Sequence, residues 1–144
     1  MKKKLEEIST YYPMDFDLFG IISPAKEYKL AWHLNQLQDF HLVKIDDIKI
    51  DFAKNKQIRV SSLAEVGKYR YIYLLKNKLI ASNITSTQYL LPDLQQFDYL
   101  LKLSSETEEN WAKELFLRLK DVAVIDYCVQ LEVAKLKMKD NLVF

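Results

Sequence analysis

The chain has 144 residues, 49% of them apolar and 28% charged, a balance that suits one packed core and excludes disorder over most of the length. Its 21 basic and 20 acidic residues leave a formal charge of +1, so no global field draws it to nucleic acid or to an anionic membrane surface. The single cysteine, Cys128, excludes an internal disulfide and any all-cysteine metal site.

Met1-Lys2-Lys3-Lys4 has the charge of the front of an export signal, but Glu6, Glu7 and Ser9 stand where an apolar stretch would follow. No apolar run approaches the ~20 residues that span a bilayer. A cytoplasmic protein is therefore expected, with residues 1–12 partly frayed. Only two glycines occur, Gly20 and Gly67, and no Gly-, Ser- or Pro-rich linker divides the chain. One α+β domain over residues 1–144 is the expectation.

Residues 15–22 predict a strand with Phe16, Leu18 and Ile22 on one face and Phe19 and Ile21 on the other. Ser23-Pro24 offers an N-cap and a proline at the first helical position, predicting a helix to about Gln38. Its stripe is Glu27, Leu30, Ala31, Leu34 and Leu37, flanked by Tyr28 and Trp32. Residues 42–52 alternate as a strand and slip once at Asp46-Asp47, which reads as a β-bulge. Residues 58–66 form a weaker strand. Residues 69–75 form a strong one, with Tyr69, Tyr71, Tyr73 and Leu75 opposite Arg70, Ile72 and Leu74. Lys76-Asn77-Lys78 is a turn, residues 79–83 return as a hairpin partner, and polar residues to Gln88 make a loop.

A second helix is predicted from Ser105, with Glu108 as its capping-box partner and a stripe of Trp111, Ala112, Leu115 and Leu119. Residues 122–129 are the closing strand and residues 131–144 a basic tail. The order βα, ββββ, αβ predicts a ferredoxin-like sandwich variant: an antiparallel sheet of about six strands with two helices on one face. The other face would be open, half-polar or closed by a second copy.

Leu91-Pro92-Asp93, three further residues, then Phe97-Asp98-Tyr99 form an acidic turn running into a strand. This pattern resembles the IPExxxVDY family of small bacterial proteins, with Leu for Ile, Asp for Glu and Phe for Val. Residues 15–21, 27–35 and 136–144 resemble the family's two ends in the same order. The resemblance implies no activity, substrate or cofactor. The residues themselves suggest a structural motif: Pro92 fixes a helical turn, Asp93 lies near its positive end, and Phe97 and Tyr99 share a face. Asp98 faces the other way, where it can accept backbone N–H bonds or a tyrosine hydroxyl.

Candidate chemistry is sparse. His33 and His41 lie near Asp39, Asp46 and Asp47 but lack metal-ligand spacing, so no metal or cofactor is expected. Cys128 sits amid Ile125, Tyr127 and Val129, as a buried thiol would. Lys68, Tyr69, Arg70, Tyr71 and Tyr73 form the best binding candidate, since tyrosines at alternate strand positions between cations can stack bases. The same stripe also suits a packed or dimerising sheet face. The leading expectation is a non-enzymatic domain that homodimerises or binds a protein partner through this face or a strand edge. A small-molecule or RNA-binding regulator using the Tyr69, Tyr71 and Tyr73 face is the alternative, and an enzyme using Asp98 and Tyr99 as acid and base comes third.

Overall fold

The structure, a computed structural model, describes residues 16–37, 41–52, 56–67, 70–79, 88–105, 111–136 and 139–142. Eight strands and two helices make up its regular structure: β1 (Asp17–Ile22), α1 (Glu27–Asn35), β2 (Val43–Lys44), β3 (Ile48–Phe52), β4 (Lys56–Val60), β5 (Ser62–Val66), β6 (Arg70–Lys76), β7 (Tyr99–Ser105), α2 (Trp111–Leu119) and β8 (Tyr127–Leu131). Six strands form an antiparallel sheet in the order β2-β5-β6-β7-β1-β8, while β3 and β4 form a separate two-stranded sheet. Both β1 and β6 run antiparallel to β7, which lies between them, so they are parallel to each other.

Strand alternation divides the interior into two layers. Phe19 and Ile21 of β1, Ile72 and Leu74 of β6, and Leu101 and Leu103 of β7 meet Leu30, Ala31 and Leu34 of α1 and Leu115 and Leu119 of α2. Both helices thus cover one face, and Phe116 of α2 stacks on Phe19 with ring centroids 5.7 Å apart. The α1 stripe is as its spacing predicts, with Tyr28 and Trp32 turned out to solvent.

The opposite face, carrying Leu18, Leu75 and Leu100, is closed by the chain itself. Ile48 and Val60 of the β3–β4 hairpin, Leu79, Leu90 and Leu91 of the connection to β7, and Val133 and Leu142 of the C-terminal segment pack there. Leu142 is fully buried and Val133 nearly so, so the basic C-terminal tail packs on the sheet over its described part. It runs as two short 3-10 turns, Val133–Lys135 and Lys139–Leu142.

Several predicted elements are redrawn by packing. Residues 42–52 do not form one bulged strand, because β2 pairs with β5 while β3 pairs with β4. The Asp46-Asp47 pair marks the corner between the sheets, where an adjacent pair of carboxylates avoids an apolar layer. Residues 58–66 likewise divide at Ser61 into β4 and β5. Its carbonyl accepts the Lys76 N–H at 3.0 Å, and its hydroxyl donates to Glu27 at 2.8 Å.

Ser23 does not cap α1, which begins at Glu27 with Lys26 at the N-cap and no side-chain cap. The Ser23 hydroxyl instead donates to the Val124 carbonyl and accepts the Ala25 N–H at 3.2 Å. Ser105 ends β7 rather than opening α2, since its backbone pairs with Arg70. The closing strand begins at Tyr127, after a turn in which the Ile125 N–H donates to Val122 at 3.0 Å. Residues 1–12, 80–83 and Glu108 lie outside the described residues.

Candidate functional site

The residues of the Leu91–Tyr99 pattern, called the signature below for the resemblance it carries, gather at one corner of the sheet. Pro92 opens a 3-10 turn, Pro92–Leu94, in which Asp93 occupies the first turn and is exposed, as the local sequence predicts. Leu91 points into the second core layer. Phe97 is buried against β1, and Tyr99 opens β7 on the helix-facing layer.

Asp98 accepts the Ser23 backbone N–H at 2.9 Å, tying the exit of β1 to the entry of β7. Its own backbone N–H donates to the Ile21 carbonyl at 2.9 Å. The Tyr99 hydroxyl donates to the Ala25 carbonyl at 2.6 Å. Burial, then the negative charges of Glu27 and Asp98, push the Tyr99 hydroxyl up to about 12. A phenol bonded to backbone and held protonated is a poor general base at neutral pH. Both side chains are engaged with backbone of the β1–α1 connection, Asp98 with Ser23 and Tyr99 with Ala25.

Asn77, which its local sequence places in a turn, holds the corner together. It is fully buried. Its side-chain amide donates to the carbonyls of Leu94 and Phe97, both at 2.9 Å, and its side-chain oxygen accepts the Leu91 N–H at 2.9 Å. Its backbone N–H donates to Asp98 at 3.0 Å, and its carbonyl accepts the Leu90 N–H at 2.7 Å. An asparagine between two lysines is the available signal, but its partners lie 13 or more residues away.

The tyrosine stripe lies elsewhere. Tyr71 and Tyr73 are half-buried on the face covered by the hairpin and the C-terminal segment, their rings edge to face at 5.3 Å. Burial, then the neighbouring Tyr71, raises the Tyr73 hydroxyl. Between them sits Lys102, 3% exposed, whose Nζ donates to the Leu142 carbonyl at 2.6 Å. That ammonium lies 4.8 Å from the Phe16 ring centroid, 5.5 Å from Tyr71 and 5.7 Å from Tyr73. Burial lowers it to about 8. These rings therefore enclose a cation of the same chain. Arg70 lies on the other face and pairs with Glu65 at 3.5 Å. Lys68 and Tyr69 lie outside the described residues.

A further exposed feature among the described residues is the sheet margin. One outer strand, β2, is two residues long and carries Lys44, whose Nζ donates to the Ser62 carbonyl at 3.0 Å. The other, β8, is five residues long, Tyr-Cys-Val-Gln-Leu, with no charge and no proline. Among the described residues no strand pairs with its outer edge. Tyr127 stands there 54% exposed, whereas Cys128 is buried and its thiol is raised by burial, against the opposing pull of Lys120. His33 meets the Trp32 ring edge-on at 5.0 Å, and the His41 backbone N–H donates to Glu65. No helix among the described residues is long and apolar enough to cross a membrane. Comparison with protein families, curated proteins and solved structures finds no match to this chain.

Proposed function

We propose that this is a non-enzymatic interaction domain that homodimerises, or takes a strand from a protein partner, along the outer edge of β8. The observation that carries this reading is the contrast between the two margins of the sheet. Outer strands expose unpaired N–H and C=O groups, and proteins guard them with shortness, charge or proline. β2 has the first two safeguards and β8 has none. Strand addition at β8 would extend the sheet by main-chain hydrogen bonds, with Tyr127 supplying apolar area at the seam.

The tyrosine face is a weaker candidate because its described rings pack around Lys102 beneath the chain's own C-terminal segment. Placement in the ferredoxin-like class is supported by the order β8-β1-β7-β6, in which β1 and β6 flank β7 and the two helices share one face. Membership of the IPExxxVDY family belongs to the same proposal and rests on the signature corner and on the order of the matching segments.

Light scattering over a hundredfold concentration range tests the edge. The wild-type chain is expected to move from monomer to dimer, and Tyr127→Lys, which places a charge on the exposed margin, to remain monomeric with an unchanged circular dichroism spectrum. A mass independent of concentration in the wild-type chain, with no strand partner captured, would overturn the proposal.

A further inference from the structure

We infer that the cleft beside the signature corner is a binding site for a small organic phosphate. The cleft measures about 420 Å³ and lies between the β1–α1 connection, the end of β6 and the start of β7. That volume lies within the range of small-molecule sites. Three lysines from two segments line it: Lys26 just before α1, and, two residues apart, Lys76 at the end of β6 and Lys78 at the bridge to Tyr89. All three are exposed, and none has an ion-pair partner among the described residues.

The grouping contrasts with the chain as a whole, whose 21 basic and 20 acidic residues nearly cancel. Three ammonium groups here face one carboxylate, Asp98, and that carboxylate is already engaged by the Ser23 N–H. Lys26 adds a further mismatch. It occupies the N-cap of the nine-residue α1, where the helix dipole disfavours a cation and no side chain caps the first turn. An anion in the cleft would relieve both the mutual repulsion and the dipole mismatch.

The walls fit an organic group as well as a charge. Tyr89 and Phe97 supply rings, and Gln95 supplies an amide with both donor and acceptor. The ties from Asp98 to Ser23 and from Tyr99 to Ala25 fix the cleft floor in advance, so little ordering is needed on binding. Lysine ammonium groups bind phosphate as compact charges with three donors each. No nucleophile or metal group is needed for this role, which is recognition and not turnover.

The test is calorimetric titration at low salt with a nucleoside diphosphate, inorganic phosphate and a short oligoribonucleotide as probes. The nucleoside diphosphate is expected to bind at one site. Lys76→Gln/Lys78→Gln should weaken it about tenfold or more, a loss of roughly 1.4 kcal/mol. Lys113→Gln, an exposed lysine on α2, should leave it unchanged. Lys26→Gln, outside any strand, gives an independent reading if the double variant folds poorly. The inference is overturned if the nucleoside diphosphate does not bind at millimolar concentration, or if the lysine variants bind as tightly as the wild-type chain. It is overturned equally if only the oligoribonucleotide binds, since that would make the cleft part of a polyanion surface.

Discussion

The ring of Phe97 lies on Gly20 so closely that a Cβ built on the glycine would stand 2.7 Å from its Cδ1 and 2.8 Å from its Cε1. Gly20 sits in the middle of β1, between Leu100 of β7 and Val129 of β8, where a side chain would normally add packing. The glycine is there for space: the Phe97 ring occupies the room a side chain would take.

Gly20→Ala should therefore destabilise the protein by about 1–3 kcal/mol, the cost of overpacking a close-packed interior. Phe97→Leu alone should also destabilise, by opening a void. The double variant should recover part of the loss, giving a favourable coupling of about 1 kcal/mol in a urea-denaturation cycle. Strict additivity would show that the two positions are not in competition for one volume.

Asn77→Ala should cost about 3 kcal/mol or more, because it strips partners from three backbone groups at a fully buried position, each worth roughly 1–3 kcal/mol when left unsatisfied. Asn77→Asp should be nearly as damaging, since a carboxylate cannot donate to Leu94 and Phe97. Hydrogen exchange checks the mechanism: protection should fall first at Leu90, Leu91 and Asp98. A loss under 1 kcal/mol would mean that the corner is held by its apolar contacts.

Lys102 predicts a pH dependence. Its folded ammonium is lowered by burial from 10.5 to about 8, so between those values the unfolded chain holds a proton that the folded chain has shed. Stability contributed by this group therefore rises as pH increases from about 8 towards 10.5. Tyr99 works the other way above pH 10, because its folded hydroxyl keeps its proton up to about 12. Both proteins share that effect when wild type is compared with Lys102→Met. The stability of the wild-type chain relative to Lys102→Met should climb between pH 8 and 10, and a constant difference across that window would sink the assignment.

Local spacing in the sequence was enough to place Leu30, Ala31 and Leu34 of α1 and Leu115 and Leu119 of α2 and to divide β1, with Phe16 and Leu18 going to one layer and Phe19 and Ile21 to the other. Alternation and the 3.6-residue period are short-range signals, decided by which side of one element each residue must bury. The 3-10 turn at Pro92 is local in the same sense, since proline fixes a backbone angle, whereas the N–H that Asp98 accepts comes from Ser23, 75 residues earlier in the chain.

Tertiary structure alone decided the rest. Nothing within residues 42–52 or 58–66 states that each is shared between two sheets, since a strand's partner is chosen by long-range pairing and not by its own pattern. The face carrying Tyr71 and Tyr73 reads locally as an amphipathic, available surface. It is closed by Leu142, whose carbonyl meets an ammonium 40 residues earlier in the chain. The cleft is likewise invisible in one dimension. Lys26, Lys76 and Lys78 are ordinary surface lysines until the fold brings the two segments that carry them to one corner, and only then does their charge have a single place to act.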